Sequence, residues 1–282
     1  MAFINSINYN AGAAIAVQTL NATSQNLQTV DTAVASGKLV NGPGDNPAVW
    51  GLAQRTQSES NSLDAAIQSL QRNQSVNDTA VAAGQQVVDL LNQIKAVVVA
   101  ATDPSGDAIS RAQYQQSFTN LVNEINNVVG GAAFDGINLL QSSSTAVYAL
   151  GNASGTLRIT LLPQVLAVGV GTSYPGGIQF TAGTTFGSAT SATALLSLVN
   201  ASIVNVTSEV GELGANDTKL TNQLNFVQAL QQQLNNGVSQ LVDADLAKES
   251  AKLQALQAQQ QLGIQGVSIA NQRTSQLIKL FG

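Results

Sequence analysis

Residues 196–241 read LSLVNASIVNVTSEVGELGANDTKLTNQLNFVQALQQQLNNGVSQL, and this stretch decides the fold. Leu196, Val199, Ile203, Val206, Val210, Leu213, Asp217, Leu220, Leu224, Val227, Gln231, Leu234, Val238 and Leu241 follow one another by three and four residues without a break. Twelve of these fourteen positions are apolar; the exceptions are Asp217 and Gln231. That spacing is a heptad seam, and it predicts a single coiled-coil helix. At a rise of about 1.5 Å per residue the helix would run about 70 Å.

The same spacing recurs on both sides. Towards the N-terminus, Ala13, Ala16, Leu20, Thr23, Leu27, Val30 and Val34 form a seam that Ser36-Gly37 interrupts. The turn-rich run from Asn41 to Pro47 breaks the chain, with Asn46 as N-cap and Pro47 opening the next helix. That long helix carries Leu63, Ile67, Leu70, Asn77, Val81, Gly84, Val88, Leu91 and Val98 on one stripe, up to a breaker at 103–106. A shorter helix over 108–129 follows, with Phe118, Leu121, Val122, Ile125 and Val129 on one face, and Gly130-Gly131 ends it. Beyond residue 241 the seam continues less perfectly through Leu246, Leu253, Leu256, Gly263, Val267, Ala270 and Leu277.

Between the helical arms, residues 132–188 change character. They hold two of the five prolines and short β-prone runs at 145–150, 157–162, 165–170 and 178–180. The expected fold class is therefore mainly α: a long antiparallel helical rod or coiled coil with a small β-hairpin insert in the middle of the chain. The terminal seams have too little partner within one hairpin, so their apolar positions are expected to be buried between subunits.

Composition narrows the function. The chain has no histidine and no cysteine, which removes disulfides, thiolate metal sites and the commonest general base. No catalytic constellation and no cofactor site is expected, and the reading is not an enzyme. Charged residues make up 10% and the net charge is −5, with no basic stripe, so no nucleic-acid partner is expected. No run of eighteen apolar residues occurs, so no membrane insertion is expected, and the N-terminus lacks the pattern of a cleavable secretory signal. Asp243, Asp245 and Glu249 read as charge at a helix N-terminus rather than as a cation site.

Several motifs resemble one family. The C-terminal run has Asp243-Ala244-Asp245, Glu249, Gln261, Gly263 and Ala270-Asn271-Gln272 before a leucine-rich end. The chain opens with Ile4-Asn5-Ser6-Ile7-Asn8-Tyr9-Asn10, and Ser36-Gly37-Lys38 precedes Asp45-Asn46-Pro47-Ala48. Phe134-Asp135-Gly136-Ile137-Asn138-Leu139-Leu140 opens the middle region. In this order and at these distances from both ends, the motifs resemble bacterial flagellin, in an alphaproteobacterial-like short form without large outer domains.

The resemblance implies a secreted structural subunit that polymerises into the flagellar filament for swimming motility. It implies an inner terminal-helix domain (1–38 with 243–282), a helical rod domain (39–131 with 189–242) and a β-hairpin region (132–188). The polymerisation interface it implies comprises Ile4, Ile7, Leu20, Leu27, Val30, Val34, Leu246, Leu253, Leu256, Val267, Ala270, Leu277, Leu280 and Phe281. Implied partners are the chain itself as a helical homopolymer, a flagellar export chaperone, the filament cap and hook–filament junction proteins, and the flagellar type III export apparatus. Ser142, Ser143, Ser144, Thr145, Thr184 and Thr185 are candidates for O-linked glycans. The alternatives are a hook–filament junction protein, which shares the two-arm plan, or a flagellin-like cell-surface binding protein.

Overall fold

The structure, a computed structural model, describes residues 9–141, 145–169 and 176–281, with backbone alone over 273–281. The elements in chain order are α1 (Ala11–Ser36), α2 (Pro47–Ala101), α3 (Ala108–Gly131), β1 (Val147–Leu150), β2 (Arg158–Leu161), α4 (Ala189–Val242) and α5 (Leu246–Phe281). The fold is mainly α, with one two-stranded antiparallel sheet in the middle of the chain.

The helix boundaries have local causes. The Asn10 side chain accepts a hydrogen bond from Ala13 N (3.0 Å) and caps α1, which ends where Gly37 takes the left-handed conformation (φ 71°). Asn46 Oδ1 accepts from Val49 N (3.1 Å) at the start of α2. Asp107 accepts from Ser110 N (2.6 Å) at the start of α3, and that bond first of all holds its carboxyl below the ordinary value. Asp245 Oδ1 accepts from Ala247 N and Lys248 N (3.1 Å each) and starts α5.

The chain forms two compact units. One consists of residues Glu59–Gln232. Within it α2 and α4 run antiparallel: Gln231 Nε2 donates to Ser60 O (3.2 Å), Gln74 Nε2 to Thr221 Oγ1 (3.0 Å) and Asn77 Nδ2 to Leu213 O (2.9 Å). Farther along α2, a Cβ on Gly84 would lie 2.7 Å from Val210 Cγ2, so glycine sets the closest approach of the two helices. The expected seams face inward: Leu63, Leu70, Leu91 and Val98 on α2, and Val199, Val206, Leu213, Leu220 and Val227 on α4, are all buried. Each such side chain contributes about 1.5–3 kcal/mol relative to exposure. By length and composition α4 could cross a membrane. Its apolar residues nevertheless recur at seam spacing, and those just named are inside the protein.

α3 closes the core. Phe118, Val122, Ile125 and Val129 are buried, and the Phe118 ring meets Phe180 (centroids 5.5 Å apart) and Phe186 edge-on (5.7 Å). Only two of the four β-prone runs pair as strands, with Val147 opposite Leu161 and Leu150 opposite Arg158. In the third, Leu166 N bonds to Leu140 O (3.0 Å) and Val168 N to Asn126 Oδ1 (3.0 Å). In the fourth, Gln179 N bonds to Ser202 Oγ (2.8 Å). These backbone donors are satisfied by a loop and by helix side chains, so no ladder is needed, while Leu166, Val168, Ile178 and Phe180 supply apolar packing.

The other unit consists of Met1–Ser58 and Gln233–Gly282. Its main elements are α1 and α5, which pair antiparallel.

Candidate functional site: the paired terminal helices

Asn10 Nδ2 donates to Ala270 O (2.9 Å), Gln260 Nε2 to Ser24 Oγ (3.3 Å), and the Ala244 N–H to Gly37 O (2.9 Å). As α1 advances, its partner on α5 recedes. Halfway along, Leu20 Cδ1 lies 3.1 Å from where a Gly263 Cβ would stand, so a glycine admits the leucine. Leu20, Leu27 and Val34 on α1 are half-buried and Val30 is buried; Leu253, Leu256, Val267 and Ala270 on α5 are half-buried. The two terminal seams thus shield apolar surface within one chain. Leu246 remains exposed at the start of α5. Ile4 and Ile7 lie outside the described residues, as do the side chains of Leu277, Leu280 and Phe281.

The same two helices carry apolar residues off the seam. Ile15 (65% exposed), Val17, Leu262 (67%), Ile264 and Ile269 (61%) stand in solvent. The heptad reading passed over them because they fall between its positions. Their signal in the sequence is a surplus of large aliphatics on helices whose seam is already filled.

A backbone clasp joins the α1–α2 and α4–α5 connections. Val242 O accepts from Leu39 N (2.7 Å) and Val40 N (3.3 Å), and Lys38 pairs with Asp243 as an isolated antiparallel bridge. Val40, Ala53 and Val242 are buried beside it, with Val49, Trp50, Val238 and Leu241 packed around them. Asp45 Oδ2 ties the loop by accepting from Asn41 N (2.8 Å) and Gly42 N (3.1 Å). Glu249, one turn into α5, is buried with its carboxylate 3.5 Å from Lys252 Nζ.

The motif residues therefore have physical work at identifiable places. Gly37, Asp45, Asn46 and Asp245 set turns and caps at the clasp, and Gly263 admits Leu20. In the other unit, Phe134 and Ile137 exchange backbone bonds (2.9 Å each) around Asp135 (φ 50°) and Gly136 (φ 75°). Both central residues of that turn are left-handed, which suits Asp-Gly. Arg72 Nε holds Asp135 Oδ2 at 2.6 Å, and Asn138 Nδ2 donates to Val129 O (2.6 Å).

Of the glycan candidates, Thr145 and Thr185 are exposed, and the Thr184 hydroxyl accepts from Thr181 N (3.1 Å). Ser142, Ser143 and Ser144 lie outside the described residues. An open cavity of about 380 Å³ beside Thr185 is lined by Ala108, Arg111, Ala112, Gln115, Phe186 and Gly187. Among the described residues, no three acidic side chains group to hold a metal.

Antiparallel terminal helices, a short hairpin between two long helices, and uncovered aliphatics on the terminal pair define a helical protein suited to assembly. Residues 7–145 match the bacterial flagellin N-terminal helical region, and residues 196–281 the bacterial flagellin C-terminal helical region. The chain is 38% identical to Flagellin FljM of Caulobacter vibrioides over 278 residues, covering 99% of each chain. It is 30% identical to Flagellin C of Rhizobium meliloti, again over 99% of each. A crystal structure of Bacillus cereus flagellin aligns with a TM-score of 0.46 at 18% identity, over 55% of this chain and 86% of that one. The chain belongs to the bacterial flagellin family, and it is a structural subunit of the flagellar filament.

Proposed function

We propose that this subunit polymerises through the outward faces of α1 and α5, in contacts that repeat from copy to copy without closing into a ring. The observation that carries this is the set of uncovered aliphatics on these two helices, Ile15, Val17, Leu262, Ile264 and Ile269. These side chains stand on helices whose seams already face each other, so one chain offers them no further cover. Burying one such aliphatic side chain fully is worth about 1.5–3 kcal/mol. Five such side chains, repeated at every subunit, favour assembly. The seam residues Leu20, Leu27, Val30, Val34, Leu253, Leu256, Val267 and Ala270 then hold the two helices together while the outer aliphatics stay available to other copies.

In this reading the role is mechanical and non-catalytic, carried out in the filament outside the cell. The chain reaches that place through the flagellar type III export apparatus, assisted by an export chaperone, the filament cap and the hook–filament junction proteins. Exposed Thr145 and Thr185 are the candidates for O-linked glycans whose placement is described.

The test is seeded growth followed by negative-stain electron microscopy, comparing the unaltered chain with the triple substitution Leu262→Gln, Ile264→Gln and Ile269→Gln. The expected result is long filaments from the former and none from the latter, with unchanged helical circular dichroism in the monomer. Filaments of normal length from the substituted chain would overturn the assignment of the outer aliphatics.

A further inference from the structure

The loop that ties the clasp also holds a reactive pair. Asparagine followed by glycine is the dipeptide most prone to attack its own side chain, because glycine puts no Cβ in the path of the backbone nitrogen. Asn-Gly occurs twice in the chain, at Asn41-Gly42 and Asn236-Gly237. Asn236-Gly237 lies inside α4, whose helical backbone keeps the Gly237 nitrogen from turning back onto the Asn236 side chain. Asn41-Gly42 lies between α1 and α2 with Asn41 exposed, and open space surrounds the place of a Gly42 Cβ. Asp135-Gly136, the related acidic pair, has its carboxylate held by Arg72, and an ionised carboxyl is a poor electrophile.

The Asn41 pair has a base at hand. The Gly42 N–H, whose nitrogen is the nucleophile of such a reaction, donates to Asp45 Oδ2 (3.1 Å), and so does the Asn41 N–H (2.8 Å). Asp45 N in turn bonds to Gly42 O (3.2 Å), which closes the turn and keeps the carboxylate on the amide. A carboxylate that already accepts from an attacking nitrogen is placed as a general base. Lys38, Asp243 and Asp245 are the other charged residues of the two connections in the clasp, and the Gly42 amide is given to Asp45.

We propose that Asn41 is a self-modification site, at which the chain slowly converts its own amide to a carboxylate with Asp45 as the base. The Gly42 nitrogen attacks Asn41 Cγ, its proton passing to Asp45 Oδ2 as the N–C bond forms. The Cγ–Nδ2 bond then breaks, the proton is handed to the leaving nitrogen, and ammonia departs. Water opens the resulting cyclic imide at either carbonyl. One opening leaves aspartate. The other leaves isoaspartate, in which the main chain runs through the side-chain carbons and is longer by a carbon. Both products add a carboxylate to the loop that Asp45 ties. That loop follows directly on Leu39 and Val40, whose N–H groups hold Val242 O (2.7 and 3.3 Å). The modification therefore loosens the clasp as the molecule ages.

The experiment ages the full chain in warm buffer and follows it by peptide mapping, with isoaspartate detected by enzymatic methyl transfer. Isoaspartate is expected to accumulate at position 41 while Asn236 stays intact. From about pH 6 to about pH 8 the rate at 41 is expected to stay nearly flat, as a base already ionised requires, rather than to rise in proportion to hydroxide. Asp45→Asn keeps an acceptor for both amides but cannot take the proton. It is expected to slow the conversion about tenfold and to bring back the hydroxide dependence. Trp50, the single tryptophan of the chain, packs against the clasp, so its emission is expected to move to longer wavelength as the modification proceeds. Asn41→Gln, whose cyclic imide would be larger and closes far more slowly, is expected to hold that emission constant. Equal conversion at 41 and 236, an Asn41 that stays unmodified, or a rate proportional to hydroxide in the unaltered chain would overturn the proposal. Trp50 emission that drifts equally in Asn41→Gln would overturn the loosening of the clasp.

Discussion

The two compact units use the same heptad grammar and reach different ends. In residues Glu59–Gln232, the α2 and α4 seams meet and α3 with the middle region closes over them, leaving Leu63, Leu70, Leu213, Leu220 and Phe118 at 1% exposure or less. In the terminal unit, α1 and α5 meet along seams of the same spacing, with no third layer among the described residues. Most of their seam residues are only half-buried, and five aliphatics stand outside. A seam alone does not make a core. The number of elements packed around it decides whether the remaining apolar surface is finished inside the chain or left for another copy.

The contrast can be broken most forcefully at Phe118. Phe118→Ala removes the ring that meets both Phe180 and Phe186 and is expected to destabilise its unit by about 3–5 kcal/mol in denaturant unfolding. Leu27→Ala on the half-buried terminal seam is expected to cost less than half as much. Equal losses would mean that the terminal pair is as fully packed as the three-layer unit.

A smaller effect is expected at the close approach of α2 and α4. Gly84→Ala places a methyl against Val210, which a helix holds near one rotamer, so overpacking of about 1–3 kcal/mol outweighs a propensity gain of about 1 kcal/mol. Gly211→Ala, with open space around it, is expected instead to stabilise by about 0.5–1 kcal/mol. The pair of melting temperatures separates contact from propensity, and stabilisation by both would show that the helices part freely at this point.

The smallest expected effect lies at the start of α3. The Asp107 carboxyl is held below its ordinary 3.8, chiefly by Ser110 N–H. Its contribution is present above that value and is lost as the pH falls through the lowered one. Asp107→Ala is expected to lower the melting temperature slightly at neutral pH and to match the unaltered chain in strong acid. A deficit that persisted there would assign the effect to something other than the ionised cap.

Much of this was legible in the sequence because periodicity encodes a face. Every seam position from Leu196 to Leu241 is buried or half-buried, and the breakers at Gly37 and Asn46 act as turns and caps. Periodicity does not encode the partner. It could not tell that Leu20 meets Gly263 in the same chain, nor that Ile15 and Ile269 would stand outside. The runs at 165–169 and 178–180 have strand composition, but their backbone groups bond to Leu140, Asn126 and Ser202, and contacts at such sequence distance leave no local pattern. The same holds for the Phe118–Phe180 contact.

The antiparallel match of α1 with α5 also sets an order in time. Asn10 is bonded to a carbonyl 260 positions away. A ribosome makes Asn10 near the beginning and Ala270 near the end, so the terminal unit has no native partner helix until synthesis is almost complete. Residues Glu59–Gln232 form their own compact unit, and its last residue is made earlier. Contacts of such long loop separation form slowly, and the terminal pair is accordingly the last part of the molecule to fold.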